Sequence, residues 1–269
     1  MQKNYFRISF FTLFLLFLLG CQQKVREDNE IFIGTISGPE TELMEVAKQV
    51  AKQKFDLDIT IFEFEDYAMP NIALSEGSID ANMFQHQPYL DVINAQRNLD
   101  LVSIGKMFIY PMAIYSTKHK TLADLPQKAI IGIPNDPSNE ARALLLLQKA
   151  ELLRLTQSDP LSVTPDKIKA NPKQLKFKEL MAAQLPRVLE DIDAACINTN
   201  YALAAGLSPT KDGLYYEGQD SPYVNIVVTR QADKDHEKFQ QLMDALHSKE
   251  VIDKAQELFG QEVIRGWAQ

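Results

Sequence analysis

The stretch Asp80-Ala81-Asn82-Met83-Phe84-Gln85-His86-Gln87-Pro88-Tyr89-Leu90 decides how the rest of the chain is interpreted. It begins as an apolar strand and ends in two aromatic residues, an imidazole and a proline. The preceding residues 73–77 are typical of a helix that ends at a glycine. The aromatic residues are therefore expected at the carboxyl end of a strand, where open α/β sheets bind ligands. The open alternative is that Phe84 and Tyr89 pack beneath a loop and His86 is solvated.

A second copy of this pattern lies farther along the chain. Ile79-Asp80-Ala81 is matched by Ile192-Asp193-Ala194, and the second strand is expected to end at Ile197, before the polar residues 198–201. Two similar half-units indicate two α/β lobes whose loop ends face each other.

Hydrophobic periodicity predicts strands and helices that alternate along the chain. Strands are expected at 31–36, 57–64, 129–133, 175–180 and 223–229, and helices at 70–75, 137–150 and 185–192, with two amphipathic helices at the end. Ser37-Gly38-Pro39-Glu40 has the spacing of a capping box for the first helix. The apolar run 101–115 contains Tyr110-Pro111, and the chain is expected to leave one sheet for another there because proline cannot donate to a strand ladder.

The amino-terminal residues 1–20 are typical of a signal peptide. Lys3 and Arg7 precede a short apolar run that is too short to span a bilayer, and Leu18-Leu19-Gly20-Cys21 resembles a bacterial lipobox. Cys21 is therefore the expected lipid attachment site, and residues 21–30 form a polar, lipidated amino terminus and tether. The alternative is a plain secretory signal with a chance cysteine.

Composition narrows the classes of function. The net charge is −8 and no basic block occurs, which argues against nucleic acid as a partner. The chain has 2 cysteines. If Cys21 is lipidated, Cys196 is the one thiol left, so no internal disulfide is expected. Cys196 lies within an apolar strand and is expected to be a small buried hydrophobic residue.

The sequence has no recognisable motif for catalysis or metal binding. The four histidines have no ligand spacing, so neither a metal nor another cofactor is expected. The sequence also lacks Gly-x-Ser-x-Gly and a phosphate-binding glycine-rich loop, which argues against hydrolases and nucleotide enzymes. No catalytic residue is predicted.

Arg142 is a candidate for carboxylate recognition. It follows Asn139 by one helical turn in a helix that Asp136 is expected to cap, with Pro137 in the first turn. This position would add a guanidinium to the free N–H donors of the helix end, a combination that suits a carboxylate. An exposed arginine paired with Glu140 or solvent is the alternative.

Five segments of the chain resemble one known family. They are FEDYAMPNIALSEGSIDANMFQHQPYLD, IYPMAIYS, IPNDPSNEARALLLLQKA, QLPRVLEDIDAACINTNYA and DSPYVNIVVTR, and the resemblance extends from about Ile31 to Trp267. They resemble the methionine-binding lipoproteins, the extracytoplasmic substrate-binding components of methionine ABC importers. The resemblance implies an α/β, two-lobed type II periplasmic-binding fold, with lobe 1 at 31–111, lobe 2 at 112–221 and a return to lobe 1 at 222–269.

The resemblance also implies a ligand site in the cleft between the lobes. The family's contacts fall on Tyr67, Phe84, His86, Tyr89, Asn139, Arg142, Asn198 and Asn225. The rings would surround a thioether, the arginine would bind the carboxylate bidentately, and the amide oxygens of Asn198 and Asn225 would accept from the ammonium. The departures from the family pattern, Glu140-Ala141, Cys196 and Asn200, are not expected to contact the ligand.

The expected function is capture of L-methionine and its delivery to the membrane permease of an ABC importer. The Cys21 anchor would hold the protein on a bilayer of the cell envelope, facing the periplasm or the exterior. D-methionine, a methionine dipeptide or another small amino acid are alternative ligands. An enzyme of amino-acid chemistry with His86 as base is the alternative from another class.

Overall fold

The structure is a computed structural model that describes residues 28–156, 163–218, 220–260 and 263–267. The expected signal peptide and Cys21 lie outside these residues. The strands are β1 (Glu30–Ile36), β2 (Asp58–Phe64), β3 (Ala81–His86), β4 (Leu101–Ile109), β5 (Ala113–Tyr115), β6 (Ile130–Pro134), β7 (Arg154–Leu155), β8 (Ile168–Ala170), β9 (Lys176–Leu180), β10 (Ala194–Ile197), β11 (Tyr215–Tyr216), β12 (Val224–Arg230) and β13 (Ile264–Arg265). The α-helices are α1 (Pro39–Phe55), α2 (Pro70–Ser75), α3 (Gln87–Arg97), α4 (Pro137–Lys149), α5 (Thr199–Ala204), α6 (Pro209–Asp212), α7 (Glu237–Leu246) and α8 (Lys249–Phe259).

Two main sheets divide these strands. The first has the order β13-β4-β12-β3-β1-β2, and the second has the order β11-β5-β10-β6-β9. In the first, β2, β1 and β3 are parallel, and β12 runs antiparallel between β3 and β4. In the second, β9, β6 and β10 are parallel, and β5 is antiparallel to β10. We call the first sheet with its helices lobe 1 and the second lobe 2.

The chain crosses between the sheets twice. The first crossover is residues 110–112, between β4 and β5, and the second lies between β11 and β12, with residues 217–218 and 220–223 described. The expected change of sheet at Tyr110-Pro111 is therefore confirmed. The lobe limits 31–111, 112–221 and 222–269 stay a prediction, which this distribution of strands supports.

The repeated Ile-Asp-Ala motif makes the same joint in both sheets. The Asp80 carboxylate accepts a hydrogen bond from the Phe32 backbone N–H (2.9 Å), and the Asp193 carboxylate accepts one from the Ile130 backbone N–H (2.7 Å). In each case the aspartate also donates its own backbone N–H to the same neighbour. The motif therefore begins a central strand and fixes it beside the parallel strand next to it.

Two sequence expectations about helices were wrong. Helix α1 begins after Gly38, whose φ of 122° favours glycine, and no side-chain capping bond forms, so Ser37-Gly38-Pro39-Glu40 is not a capping box. Glu40 is buried instead, and burial raises its pKa to about 8. Residues 185–192 form no α-helix: 3₁₀ turns lie at 182–184 and 186–188. Pro186 has no N–H to donate to the turn before it, so the two turns do not join into one helix.

Apolar side chains fill a core in each lobe. In lobe 1, α1, α7 and α8 pack on the first sheet, and the expected face of α7 is buried: Phe239, Leu242, Met243 and Leu246. In lobe 2, α4 packs on the second sheet. A further apolar cluster contains side chains from both lobes, so the lobes share a packed boundary. Within the described ranges no helix is both long and apolar enough to cross a bilayer.

Candidate functional site

All eight residues expected to contact a ligand line one cavity between the lobes. The lining also includes Gln85, Tyr110, Thr199 and Asn200. The cavity lies at the carboxyl ends of parallel strands from both sheets, because His86 ends β3, Asn139 follows β6 and Asn198 follows β10. Small-molecule sites commonly lie between domains and at the carboxyl ends of parallel strands.

Lobe 1 supplies a wall of rings, which we call the ring wall: Tyr67, Phe84, His86 and Tyr89. The ring centroids of Tyr67, Phe84 and Tyr89 are 5.6–5.9 Å apart in tilted and edge-on arrangements. The Tyr89 hydroxyl donates to the Tyr67 carbonyl oxygen (2.9 Å), and burial raises the pKa of the Tyr67 phenol. The wall is therefore uncharged and offers ring faces and edges, which suit a polarizable thioether.

His86 is held in one neutral form. It caps the amino terminus of α3, where its Nδ1 accepts the Tyr89 backbone N–H (3.2 Å), so the ring proton is on Nε2. Nε2 then donates to Asn139 Oδ1 (3.3 Å). Burial and the nearby Arg142 charge lower the pKa of His86 to about 3. The imidazole thus has no free lone pair for general-base catalysis.

A hydrogen-bonded layer lies behind the ring wall. The amides of Asn71, Asn82 and Gln85 are buried and bond to one another at 2.7–2.9 Å. This layer joins α2 to β3, and Gln85 reaches the cavity. It therefore fixes the strand that carries Phe84 and His86.

Lobe 2 supplies the polar wall: Asn139, Arg142, Asn198, Thr199 and Asn200. Asp136 caps α4 as expected and accepts from the Asn139 backbone N–H (3.0 Å) and from its amide nitrogen (2.9 Å). Asn139 Oδ1 in turn accepts from Asn198 Nδ2 (2.8 Å). Although burial raises the pKa of Asp136, the hydrogen bonds from Asn139 and Ser138 oppose that shift.

Arg142 is buried (4% exposed), so the alternative of an exposed arginine paired with Glu140 or solvent is wrong. Its partner is Glu217: Nε donates to Oε1 (2.8 Å) and Nη2 donates to Oε2 (2.5 Å). Nη2 also donates to the Tyr110 carbonyl (2.8 Å), and the guanidinium lies over the Tyr223 ring, 4.4 Å from its centroid. Burial disfavours the Arg142 charge, but attraction to Glu217 outweighs burial and raises the pKa of the guanidinium.

This pairing changes the expected mode of carboxylate binding. Both protons of Arg142 Nη2 and the Nε proton are used by Glu217 and Tyr110. Within the described part of the chain, Nη1 makes no hydrogen bond. A ligand carboxylate can therefore be held through Nη1, and the bidentate contact that the resemblance implies would have to displace Glu217 or Tyr110.

Three cavity residues hold buried polar atoms that have no hydrogen-bond partner among the described residues. They are Asn198 Oδ1, Asn200 Nδ2 and the Tyr110 hydroxyl. Such atoms are costly to bury unless a ligand or water satisfies them. Asn198 Oδ1 is an acceptor suited to an ammonium. At Asn225, Nδ2 donates to the Phe84 carbonyl (3.4 Å), which leaves the amide oxygen for a ligand donor.

The two walls are bonded to each other across the cleft. The Tyr67 hydroxyl donates to Asn200 Oδ1 (2.7 Å), and the Tyr67 and Tyr201 ring centroids are 5.0 Å apart. The Tyr201 hydroxyl also donates to the Glu65 carbonyl (3.4 Å). Asn200, which was not expected to contact a ligand, thus lines the cavity.

Sequence reasoning did not identify several of the lining and supporting residues. Tyr110 had a signal, because it sits beside the proline at which the chain changes sheet. Gln85 and Thr199 had the weaker signal of lying next to predicted residues. Glu217 follows two tyrosines in a short strand and precedes a polar turn, and nothing in that pattern pairs it with Arg142. No group of three or more His, Cys, Asp or Glu side chains within the described residues is arranged to hold a metal ion.

Known proteins similar to this chain identify its family. The family model described as NlpA lipoprotein matches residues 31–267. The chain belongs to the NlpA lipoprotein family. The D-methionine-binding lipoprotein MetQ of Salmonella typhi is 48% identical to it over 254 residues, which are 94% of this chain and 94% of that relative.

Solved structures of similar proteins share the fold. A nutrient-binding protein from Burkholderia cenocepacia, solved bound to methionine, is 48% identical, has a TM-score of 0.86, and the match covers 88% of this chain and 100% of that one. A periplasmic substrate-binding protein of an ABC transporter from Coxiella burnetii is 53% identical, has a TM-score of 0.85, and the match covers 87% of this chain and 99% of that one. The expected two-lobed α/β substrate-binding fold is confirmed.

Proposed function

We propose that this protein binds L-methionine between its lobes and delivers it to the membrane permease of an ABC importer. One observation carries the proposal: a single cavity joins an uncharged ring wall to the guanidinium of Arg142 and to amide atoms that have no partner among the described residues. A thioether fits the first, and the carboxylate and ammonium of a free amino acid fit the second. The methionine bound to the Burkholderia relative supports the same ligand class.

In the proposed arrangement, the carboxylate accepts from Arg142 Nη1, and the ammonium donates to the oxygens of Asn198 and Asn225. The side chain lies among Tyr67, Phe84 and Tyr89. The eight residues expected from the sequence are thus proposed as the ligand contacts, with Tyr110 and Asn200 added to them. The bonds between the lobes support closure over the ligand, a hinge motion about the two crossovers.

D-methionine is a second candidate ligand. Curated relatives from several bacteria are named D-methionine-binding lipoproteins, including that of Salmonella typhi. The two isomers carry the same three recognition groups and differ in their arrangement about one carbon. The polar wall would have to accept either arrangement from the same guanidinium and amides.

The proposal includes a lipid anchor and excludes catalysis. Acylation of Cys21 would hold the protein in the cell envelope, facing the periplasm or exterior, and membership of a lipoprotein family supports this anchor. Both His86 nitrogens are already hydrogen-bonded, which supports a binding protein over an enzyme with His86 as base.

Calorimetric titration of the purified protein tests the proposed function. The protein is unfolded in guanidinium chloride and refolded, so that any co-purified ligand is removed. L-methionine, D-methionine, a methionine dipeptide and norleucine are then titrated separately. We expect L-methionine to bind at one site and to remain chemically unchanged. Equal binding of norleucine, or no binding of methionine, would contradict the proposal.

A further inference from the structure

Glu217 connects the candidate site to both crossovers between the lobes. It lies in the second crossover and is 9% exposed. Its carboxylate accepts from Arg142 at two points, from the Met112 backbone N–H (3.0 Å) in the first crossover, and from the Ser221 hydroxyl (3.2 Å) in its own crossover. Each oxygen therefore has at least one donor, as a buried carboxylate requires.

This contact set fixes the direction in which Arg142 can offer hydrogen bonds. Glu217 holds Nε and Nη2, the Tyr110 carbonyl holds the second proton of Nη2, and the Tyr223 ring covers one face of the guanidinium. Only Nη1 remains for the ligand. Loss of Glu217 would free the guanidinium to turn and to offer a different edge.

The same contact set determines the charge of the cavity. The Arg142–Glu217 pair has no net charge, and His86 and Tyr67 are neutral. Two carboxyl groups lie near these side chains. Asp136 accepts hydrogen bonds from Asn139 and Ser138 at the amino terminus of α4, and burial raises the pKa of Glu40 to about 8, which favours its neutral form. A ligand with no net charge can enter without leaving an unbalanced charge in this low-dielectric space, whereas an anion cannot.

We propose that Glu217 is a specificity-determining residue, which neutralises and orients Arg142 so that the cavity selects a net-neutral zwitterion over an anionic carboxylate. The inference rests on the proposed function and deepens it, because it states which charge state of the ligand the site accepts. Glu217 is a positioning residue here and acts on the ligand through Arg142.

A pair of ligands tests this selection. Methionine is a zwitterion, and its α-hydroxy analogue has a neutral hydroxyl in place of the ammonium and is an anion. Affinities for both are measured by calorimetry on the full chain purified in detergent, for the wild type, for Glu217→Gln and for Ser221→Ala. Glu217→Gln removes the charge with little change in shape, and Ser221→Ala removes a hydrogen bond to the same carboxylate while the charge remains.

We expect the preference of the wild type for methionine over the hydroxy analogue to fall by about tenfold or more in Glu217→Gln, because the unpaired guanidinium attracts the anion. The preference should stay unchanged in Ser221→Ala. If Glu217→Gln weakens both ligands by the same factor, Glu217 is only structural and the inference is wrong. If that variant does not fold, Glu217→Ser, which is neutral and leaves room for water, is measured against the same criterion. Methionine binding by the wild type is measured first. If the wild type binds no methionine, the proposed function itself is contradicted.

Discussion

The ring wall and the polar wall face each other across one cavity. They differ in how many of their groups already have packing or hydrogen-bond partners within the protein. The rings of Tyr67, Phe84 and Tyr89 pack against one another, and both nitrogens of His86 are bonded. The polar wall holds the guanidinium of Arg142, whose Nη1 has no partner among the described residues, and buried atoms of Asn198 and Asn200 that likewise have none there. The ring wall is thus packed like a hydrophobic core without a ligand. The polar atoms of the polar wall need a ligand or water to complete their hydrogen bonds.

This difference indicates which wall contributes more to ligand affinity. Apolar rings lose little when a ligand leaves, because they remain in contact with one another. A buried polar atom without a partner costs about 1–3 kcal/mol, and more if it is charged. Changes in the polar wall should therefore affect affinity strongly, and conservative changes in the ring wall should affect it weakly.

The largest effect is expected from Arg142→Ala. Loss of one partner of a buried charge pair should weaken methionine binding by about 2–5 kcal/mol. The variant also leaves Glu217 buried without its partner, so the free energy of unfolding without ligand should fall by about 3–5 kcal/mol. Calorimetry and denaturant unfolding measure the two quantities.

The double variant Arg142→Met, Glu217→Met separates these two effects. It removes both charges, so its unfolding free energy should recover toward that of the wild type, while methionine binding stays lost. Normal binding by the double variant would show that the guanidinium does not recognise the ligand.

A smaller loss is expected from Asn198→Ala. A hydrogen bond to a charged group contributes about 1.5–3 kcal/mol, so methionine affinity should fall by that amount. Asn94→Ala is the matched control, because Asn94 Oδ1 also has no partner among the described residues but does not line the cavity. Equal losses of affinity in the two variants would remove the distinction between the polar wall and any other buried amide.

A still smaller change is expected in the ring wall. Phe84→Leu keeps an apolar side chain and removes one ring, and a sulfur–aromatic contact contributes about 0.3–1.5 kcal/mol. Methionine affinity should fall within that range, and norleucine, which has a methylene in place of the sulfur, should lose less. If norleucine loses as much as methionine, the ring wall provides volume and no preference for sulfur.

The smallest change is expected from pH. Because burial lowers the pKa of His86 from 6.5 to about 3, its folded form stays neutral, and methionine affinity should show no inflection between about pH 5 and 8. The unfolded state takes up a proton on this histidine below pH 6.5, so its contribution to stability is full above that pH and is lost as the pH falls toward 3.

Comparison of the wild type with His86→Gln isolates this contribution. The wild-type advantage in unfolding free energy should shrink by up to about 1.4 kcal/mol per pH unit below 6.5. Glu40, with its raised pKa, is present in both proteins and cancels. A constant advantage across this range would mean that His86 is charged in the folded protein.

Local patterns predicted the parts of this molecule that local physics controls. The strands beside both Ile-Asp-Ala motifs, the cap at Asp136 and the change of sheet at Tyr110-Pro111 follow from periodicity, side-chain capping and the missing proline N–H. The family resemblance supplied the eight cavity residues. The capping box at Ser37 was wrong because Gly38 adopts a backbone conformation that makes it the cap itself.

The contacts that complete the site could not be predicted in this way. Arg142 in α4 and Glu217 in the second crossover are 75 residues apart in sequence, and they meet only when that crossover packs beside α4. Asn200 differs from the family pattern and bonds across the cleft to Tyr67. Such pairs are decided by the packing of the lobes, which no local spacing reports.

The most direct test of the proposed roles of the two walls is the position of the ligand's side-chain heteroatom, sulfur in methionine and selenium in selenomethionine. Selenomethionine is bound to protein that contains ordinary methionine, and the crystal structure is determined with the anomalous signal of selenium. The account predicts one selenium peak among the rings of Tyr67, Phe84 and Tyr89, with the ligand carboxylate at Arg142 Nη1. A selenium peak beside Arg142 or Asn198, or outside the cavity, would contradict it.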